Sequence, residues 1–245
     1  MSFWSQFGAI YCINLKERID RRQSATAVFE KLRIPVQFHT AIRDVGGNGA
    51  RGCWKEHQAC MRKSYDAGHD NALIFEDDLE TNIIPSQSAQ DVVTAFLKTA
   101  NPSWEIVFLG ACANVFFENH KMLPNFPGIK RVSSLCTHAY IASRIWMRKF
   151  LSLEYETLNI PIDNVYMLNK QAYAVFPTWF YQSTSASNIG APTQFGLVIG
   201  KGIAKLKNSY ACHTSIPLVH VVWVLFVLLI VLLLIVTLRL CKLKN

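Results

Sequence analysis

The stretch Ala72-Leu73-Ile74-Phe75-Glu76-Asp77-Asp78 constrains this chain more than any other: a short apolar run ends abruptly in three adjacent carboxylates. A run of that length, bounded by polar residues, reads as a buried strand that delivers charge at its exit. Three neighbouring acids repel one another, so they either stay solvated or share a divalent cation that offsets the repulsion. Because side chains alternate along a strand, Glu76 and Asp78 are expected on one face and Asp77 on the other. Such a pair offers hard oxygen ligands for Mn²⁺ or Mg²⁺ and leaves coordination positions for phosphate oxygens. The competing structural reading is that the acids open a loop or cap a helix.

The flanking sequence alternates strand and helix. Gly8-Ala9-Ile10-Tyr11-Cys12-Ile13 predicts a strand, and residues 21–32, with Ala25, Val28, Phe29 and Leu32 at helical spacing, predict an amphipathic helix. Pro35-Val36-Gln37-Phe38-His39 predicts a second strand. A glycine-rich loop, Gly46-Gly47-Asn48-Gly49, is expected to run on to Gly52 before a helix over residues 55–67, and a further helix over 88–99 precedes the apolar Ile106-Val107-Phe108-Leu109 strand. This order predicts an α/β fold with a mixed, mostly parallel sheet flanked by helices. Ligands of such sheets gather at the carboxyl ends of the strands, where Asn14, the basic cluster Lys16, Arg18, Arg21 and Arg22, and Glu76-Asp77-Asp78 would meet.

Composition excludes a disordered chain, since 51% of the 245 residues are hydrophobic and 17% are charged. Residues 221–238 carry no charge and are dominated by Val, Leu and Ile, with Arg239, Lys242 and Lys244 beyond them. This predicts a transmembrane helix over 216–238, preceded by a basic juxtamembrane linker over 201–215 (Lys201, Lys205, Lys207) and followed by a short basic tail over 239–245. A folded domain over residues 1–200 accounts for the remainder. The N-terminal segment has no basic n-region or long apolar run, so a cleaved leader is not expected, and a C-terminal anchor with a cytosol-facing domain is the reading adopted. Seven cysteines without paired metal-ligand spacing suit reduced thiols. The net charge of +8 favours phosphate near the first helix and lipid headgroups near the anchor. Nucleic acid is not expected as a partner, because no recognised module or aromatic–basic interleaving is present.

The order of motifs resembles glycosyltransferase family 25, which contains lipopolysaccharide glycosyltransferases and collagen galactosyltransferases. Asn14-Leu15-Lys16-Glu17-Arg18-Ile19-Asp20-Arg21 is similar to the family's opening Asn-Leu…Arg…Asp-Arg signature. Gly52-Cys53-Trp54-Lys55-Glu56-His57 is similar to its Gly-Cys…Ser-His segment, with Glu56 in place of the usual Ser. Leu73-Ile74-Phe75-Glu76-Asp77-Asp78 resembles its metal motif, and Thr137-His138-Ala139-Tyr140-Ile141-Ala142-Ser143 its Thr…Ala-Tyr…Ser strand. Pro161-Ile162-Asp163 and Pro177…Gln182…Ser187-Asn188-Ile189 complete a resemblance over roughly residues 8 to 190, with Asn188 where Asp is common.

The resemblance implies a GT-A-type, Rossmann-like fold and an inverting, metal-dependent transfer of galactose or glucose from a UDP-sugar to a hydroxyl of a glycan, lipid-linked glycan or protein. Asp78, with Glu76, is the expected holder of Mn²⁺ or Mg²⁺, since a cation across the departing diphosphate stabilises its charge. Glu76 or Asp77 would contact donor hydroxyls or metal-bound water, and Asp77 is counted with Asp163 as a catalytic candidate. Asn14, Arg18, Arg21 and His57 are the further donor-binding candidates, the two arginines through their fork-shaped donors. Asp163 is the expected general base, with a helix N-cap as its structural alternative. His138 is a weaker candidate of the same kind as His57. Two other classes remain open at this point: an inactive membrane protein that keeps the fold, and a metal-dependent phosphohydrolase, although the second His and Asp motifs of a two-metal site are missing.

Overall fold

The computed structural model describes residues 2–81, 83–99, 103–111, 122–134 and 136–183. Its elements are β1 (Ala9–Leu15), α1 (Ile19–Leu32), β2 (Gln37–Ala41), α2 (Gly49–Asp66), β3 (Asn71–Glu76), β4 (Leu79–Glu80) and α3 (Gln87–Leu97), followed by β5 (Ile106–Gly110), β6 (Met122–Leu123), β7 (Phe126–Arg131) and β8 (Ala139–Ser143). Helices α4 (Arg144–Leu151), α5 (Tyr155–Leu158) and α6 (Ile162–Met167) then lead to β9 (Ala172–Val175) and β10 (Tyr181–Gln182). Eight strands form one sheet in the order β2-β1-β3-β8-β5-β9-β7-β6, while β4 and β10 pair in a small ribbon beside it.

Strands β2, β1 and β3 are mutually parallel, as are β5 and β9, whereas β8 runs antiparallel between β3 and β5. The sheet is therefore mixed. The inserted β8 brings Thr137, on the loop just ahead of it, to the carboxyl end of β3, where the Glu76 N–H donates to the His138 carbonyl at 2.9 Å.

Period-two alternation builds two cores. Leu73 and Phe75 of β3, Val107 and Leu109 of β5, and Ala139 and Ile141 of β8 face a cluster completed by Phe29 of α1 and Val93 and Phe96 of α3. Their alternates Ala72 and Ile74, Ile106 and Phe108, and Tyr140 and Ala142 face a second cluster with Trp54 and Met61 of α2, Trp146 and Phe150 of α4, and Tyr166 of α6. Runs without a polar position are what a sheet covered on both faces requires. By the same alternation Glu76, two residues beyond Ile74, belongs to the α2 face.

Helix α2 begins at Gly49, six residues before the expected start at 55. Asn48 supplies the cap by accepting a hydrogen bond from the Arg51 N–H at 3.0 Å, and Asp44 fixes the approach through the Asn48 N–H and the Arg51 guanidinium. Glycine in a helix costs about 1 kcal/mol relative to alanine. Burying Trp54 and Met61 in the same helix outweighs that cost for Gly49 and Gly52. Gly110 is required for space, since a Cβ there would lie 2.2 Å from His138 Nε2 and 2.9 Å from the Phe180 carbonyl oxygen.

Among the described residues no helix is long and apolar enough to cross a membrane. The expected linker at 201–215, span at 216–238 and tail at 239–245, with Ser187-Asn188-Ile189, lie outside the described residues. Cys12, Cys53 and Cys60 carry free thiols, but Cys136 is disulfide-bonded to a partner outside the described residues, which corrects the expectation of a fully reduced set.

The two-core arrangement yields a stability prediction. Phe75 is fully buried and its ring packs on Phe29 and Phe180, each with centroids 5.1 Å away. Phe75→Ala should cost about 3–5 kcal/mol, whereas Val45→Ala, at a fully exposed loop position, should stay within about 0.5 kcal/mol. Urea unfolding followed by tryptophan fluorescence measures both, and equal losses would contradict the layering.

Candidate active site

Strand β3 ends at Glu76, and Asp77 and Asp78 form the turn into β4. The alternation expected of a continuing strand therefore stops there, and all three carboxylates line one cavity of about 200 Å³, together with Arg21, His57 and Gln182. The expected separation of Asp77 from its neighbours is corrected by this turn. Apolar side chains of Ile13, Leu15, Ala41 and Ile42 line the same cavity, as do Gly47, Gly49 and Gly52 from the start of α2.

Each acid is held by a different partner. Asp77 accepts from the Asn14 amide at 2.7 Å and from Arg21 Nη1 at 3.0 Å, and Arg21 also lies 3.6 Å from Asp78 Oδ2. The Gln182 amide donates to Asp78 Oδ2 at 3.1 Å. Glu76 Oε1 accepts from the Thr137 hydroxyl at 2.7 Å and sits 3.4 Å from His57 Nε2. Burial alone would raise the Glu76 carboxyl, but His57 and Thr137 outweigh it and hold it below its ordinary value. Burial, and then the Glu76 charge, push the Asp78 carboxyl well above its ordinary value against the opposing pull of Arg21.

A second cavity of about 120 Å³ adjoins the first, sharing Cys53, Glu76 and Gln182 with it and adding Thr137, Pro161 and Asp163. Asp163 lies in the first turn of α6, whose N-cap is Pro161, so the alternative capping role for Asp163 is not what the structure shows. Its Oδ1 is 3.0 Å from the Thr137 hydroxyl, which places that one hydroxyl between Glu76 and Asp163. Burial and then the Glu76 charge raise the Asp163 carboxyl to about 7. A carboxylate of that basicity is suited to take a proton near neutrality.

The expected donor-binding residues divide by position. Arg21 and Glu76 line the large cavity, and His57 joins them from α2, fully buried, with Nδ1 2.8 Å from the Tyr140 hydroxyl. Asn14 is buried, and its amide donates to Asp77 and to the Arg18 carbonyl. The Arg18 guanidinium pairs with Asp20 at 2.8 Å, and Arg18 lines neither cavity. His138 is buried with Nε2 3.3 Å from the Phe180 carbonyl, and burial lowers its pKa. Glu56 lines the large cavity with the acids and is held there by its own partners: it bonds His39 Nε2 at 2.6 Å and accepts from the Ile42 N–H at 3.0 Å, tying down a loop that walls the same cavity.

Sequence reasoning did not assign Thr137, Gln182 and Cys53. Each stands inside one of the motifs of the resemblance, and the spacing of Cys53 and His57, four apart on a helix, was the signal for the last. The acids fit a divalent cation, because Asp78 Oδ1 is buried without a hydrogen-bond partner and the charge of Glu76 is close enough to raise Asp78. A hard dication relieves both conditions.

No family model matches the chain. It is 22% identical over 187 residues to "Procollagen galactosyltransferase 1-A" of Xenopus laevis, covering 64% of this chain and 30% of that protein, so it spans under a third of the length of this relative. Among solved structures it is similar to a glycosyltransferase involved in the glycosylation of the major capsid of PBCV-1, with a TM-score of 0.41, 12% identity and coverage of 74% of this chain and 94% of that one. It is also similar to a mannose-1-phosphate geranyltransferase from Thermus thermophilus, with a TM-score of 0.39, 9% identity and coverage of 70% and 74%.

The raised Asp163 carboxyl has a sign-definite consequence. Below the ordinary value of 3.8 both folded and unfolded chains hold the proton and Asp163 costs nothing. Between there and about 7 the unfolded chain releases a proton that the folded chain keeps, so stability falls as pH rises, and above about 7 the full penalty is present. Asp163→Asn removes the penalty. The variant should therefore gain on the wild type between about pH 5 and about pH 8, by on the order of 1–3 kcal/mol in urea titrations. A difference independent of pH would contradict the buried, raised carboxyl.

Proposed function

We propose that the chain is a glycosyltransferase of GT-A type that moves a hexose, galactose or glucose, from a UDP-sugar to a hydroxyl of a glycan, lipid-linked glycan or protein. The observation that carries this reading is the meeting of two cavities at Glu76, one lined by the acid cluster and Arg21, the other by Asp163. Two substrates that react by direct displacement need adjoining sites of this kind, with a base on the side of the acceptor. The weak similarity to a procollagen galactosyltransferase and the order of motifs support the same class.

In this reading the larger cavity takes the nucleotide diphosphate. Ile13, Leu15, Ala41 and Ile42 offer an apolar wall for the base and sugar, and the glycines at the start of α2 allow close approach of the backbone. Arg21, anchored on Asp77 and near Asp78, contributes positive charge beside the phosphates. Asp78 and Glu76 would hold Mn²⁺ or Mg²⁺, which supplies neutralisation of the negative charge gathering on the departing diphosphate.

The smaller cavity takes the acceptor hydroxyl. As its oxygen bonds to the anomeric carbon, its proton passes to the Asp163 carboxylate. The bond from that carbon to the diphosphate oxygen breaks and its electron pair leaves with the nucleotide. A single displacement of this kind inverts the anomeric centre. Residues 216–238 would hold the domain against a lipid bilayer, confining the acceptor cavity near membrane-borne glycans, lipids or proteins. We place the domain on the cytosolic side. The disulfide at Cys136 is the structural feature that pulls toward an oxidising compartment instead.

Nucleotide release by the full chain from a panel of UDP-sugars, with Mn²⁺ and with a hydroxyl acceptor, tests the reading. One hexose donor should turn over, chelator should abolish turnover, Asp78→Asn should do the same, and Asp163→Asn should lower it by about 10²–10⁴-fold. Turnover unaffected by the chelator and by both substitutions would refute it.

A further inference from the structure

Cys53, His57 and Glu76 stand where the two cavities meet, and their ligand atoms all lie within 4.8 Å of one another. Cys53 and His57 are four residues apart on α2 and so share one face of the helix, while Glu76 approaches from the end of β3. Hydrogen bonding leaves one atom of the group unsatisfied. His57 Nε2 is fully buried and has no hydrogen-bond partner, with Glu76 Oε1 3.4 Å away, too far for a good bond. A buried polar nitrogen left in this way calls for a ligand.

The surroundings are those of a metal site. The other ring nitrogen, Nδ1, is held by the Tyr140 hydroxyl at 2.8 Å, which fixes the ring with Nε2 toward Cys53 and Glu76. The Thr137 hydroxyl donates to Glu76 Oε1 at 2.7 Å and orients that carboxylate. Metal-binding histidines and carboxylates are regularly steadied by such outer partners. Sulfur, imidazole and carboxylate together form a borderline donor set that suits zinc, unlike the all-oxygen set of Asp78 and Glu76. Both cavities reach Cys53 and Glu76, so a fourth position stays open to water or a small ligand.

We propose that Cys53, His57 and Glu76 form a binding site for Zn²⁺ or a similar borderline divalent ion, distinct in its sulfur and nitrogen ligands from the carboxylate site at Asp78. Binding replaces the thiol proton of Cys53 with the metal and releases that proton to solvent. This site does not depend on the transferase reading. Because it shares Glu76 with the acid cluster, its occupant would bridge the two cavities and draw Glu76 away from a second cation.

Cobalt reports the site directly, since thiolate-bound Co²⁺ shows a sulfur-to-metal charge-transfer band in the near ultraviolet. The full chain should develop this band with about one equivalent of Co²⁺, and Zn²⁺ should bleach it. Cys53→Ser should lose the band, His57→Gln should weaken Co²⁺ binding by about 10-fold or more, and Asp78→Asn, Cys12→Ser and Cys60→Ser should keep it. No band in the wild-type chain overturns the proposal whatever the variants do. A band that survives Cys53→Ser, or that Asp78→Asn removes, overturns it as well. Zn²⁺ should also raise the melting temperature of the wild type and not of Cys53→Ser, and an equal rise in both would count against the site.

Discussion

The arrangement depends on the mutual repulsion of the acids at the exit of β3. Glu76, Asp77 and Asp78 are brought together with Asp163 behind them, in a setting dry enough to raise both Asp78 and Asp163. The surrounding residues are largely explained as answers to that repulsion. Arg21 of α1 spans Asp77 and Asp78, Asn14 of β1 fixes Asp77, Gln182 of β10 fixes Asp78, and Thr137 and His57 hold Glu76. The compensation is incomplete, because Asp78 Oδ1 is buried without a hydrogen-bond partner and His57 Nε2 reaches Glu76 only at 3.4 Å, long for a hydrogen bond. Groups retained against their own stability in this way mark the part of a fold that serves a ligand.

Topology makes the cluster possible. Parallel β1 and β3 end side by side, so Asn14 and the acids meet there, as the switch region of an open sheet requires. The antiparallel β8 fills the next position, with Thr137 just ahead of its start, so a hydroxyl reaches Glu76 from the opposite direction. Helix α6 then presents Asp163 to that same hydroxyl. One threonine thus links the cavity with the acid cluster to the cavity lined by Asp163, and Glu76 lines both.

Much of this was legible in the sequence. The apolar runs placed the strands β1, β3 and β5 to within a residue or two, because buried strands need uninterrupted apolar content. Helix α2 was misplaced at its start, since the glycines at 49 and 52 signal a loop locally while Asn48 and Asp44 cap and brace a helix through contacts that only the fold supplies. Asp77 was assigned to the wrong face because strand alternation was extended past Glu76 into a turn. Asn14 and Arg18 were identified as polar residues at a strand end, but their partners in the fold, Asp77 and Asp20, could not be read from the sequence. Thr137 carries no chemistry on its own and became visible only when two carboxylates were found on either side of it.

With Asp78 proposed on the nucleotide side of the site and Asp163 on the acceptor side, titration of UDP into the full chain in the presence of Mn²⁺ measures that division directly. Asp163→Asn should bind UDP within about threefold of the wild type, and Asp78→Asn should bind it at least about tenfold more weakly. Equal losses in the two variants, or a larger loss in Asp163→Asn, would contradict the division of the site between its two cavities.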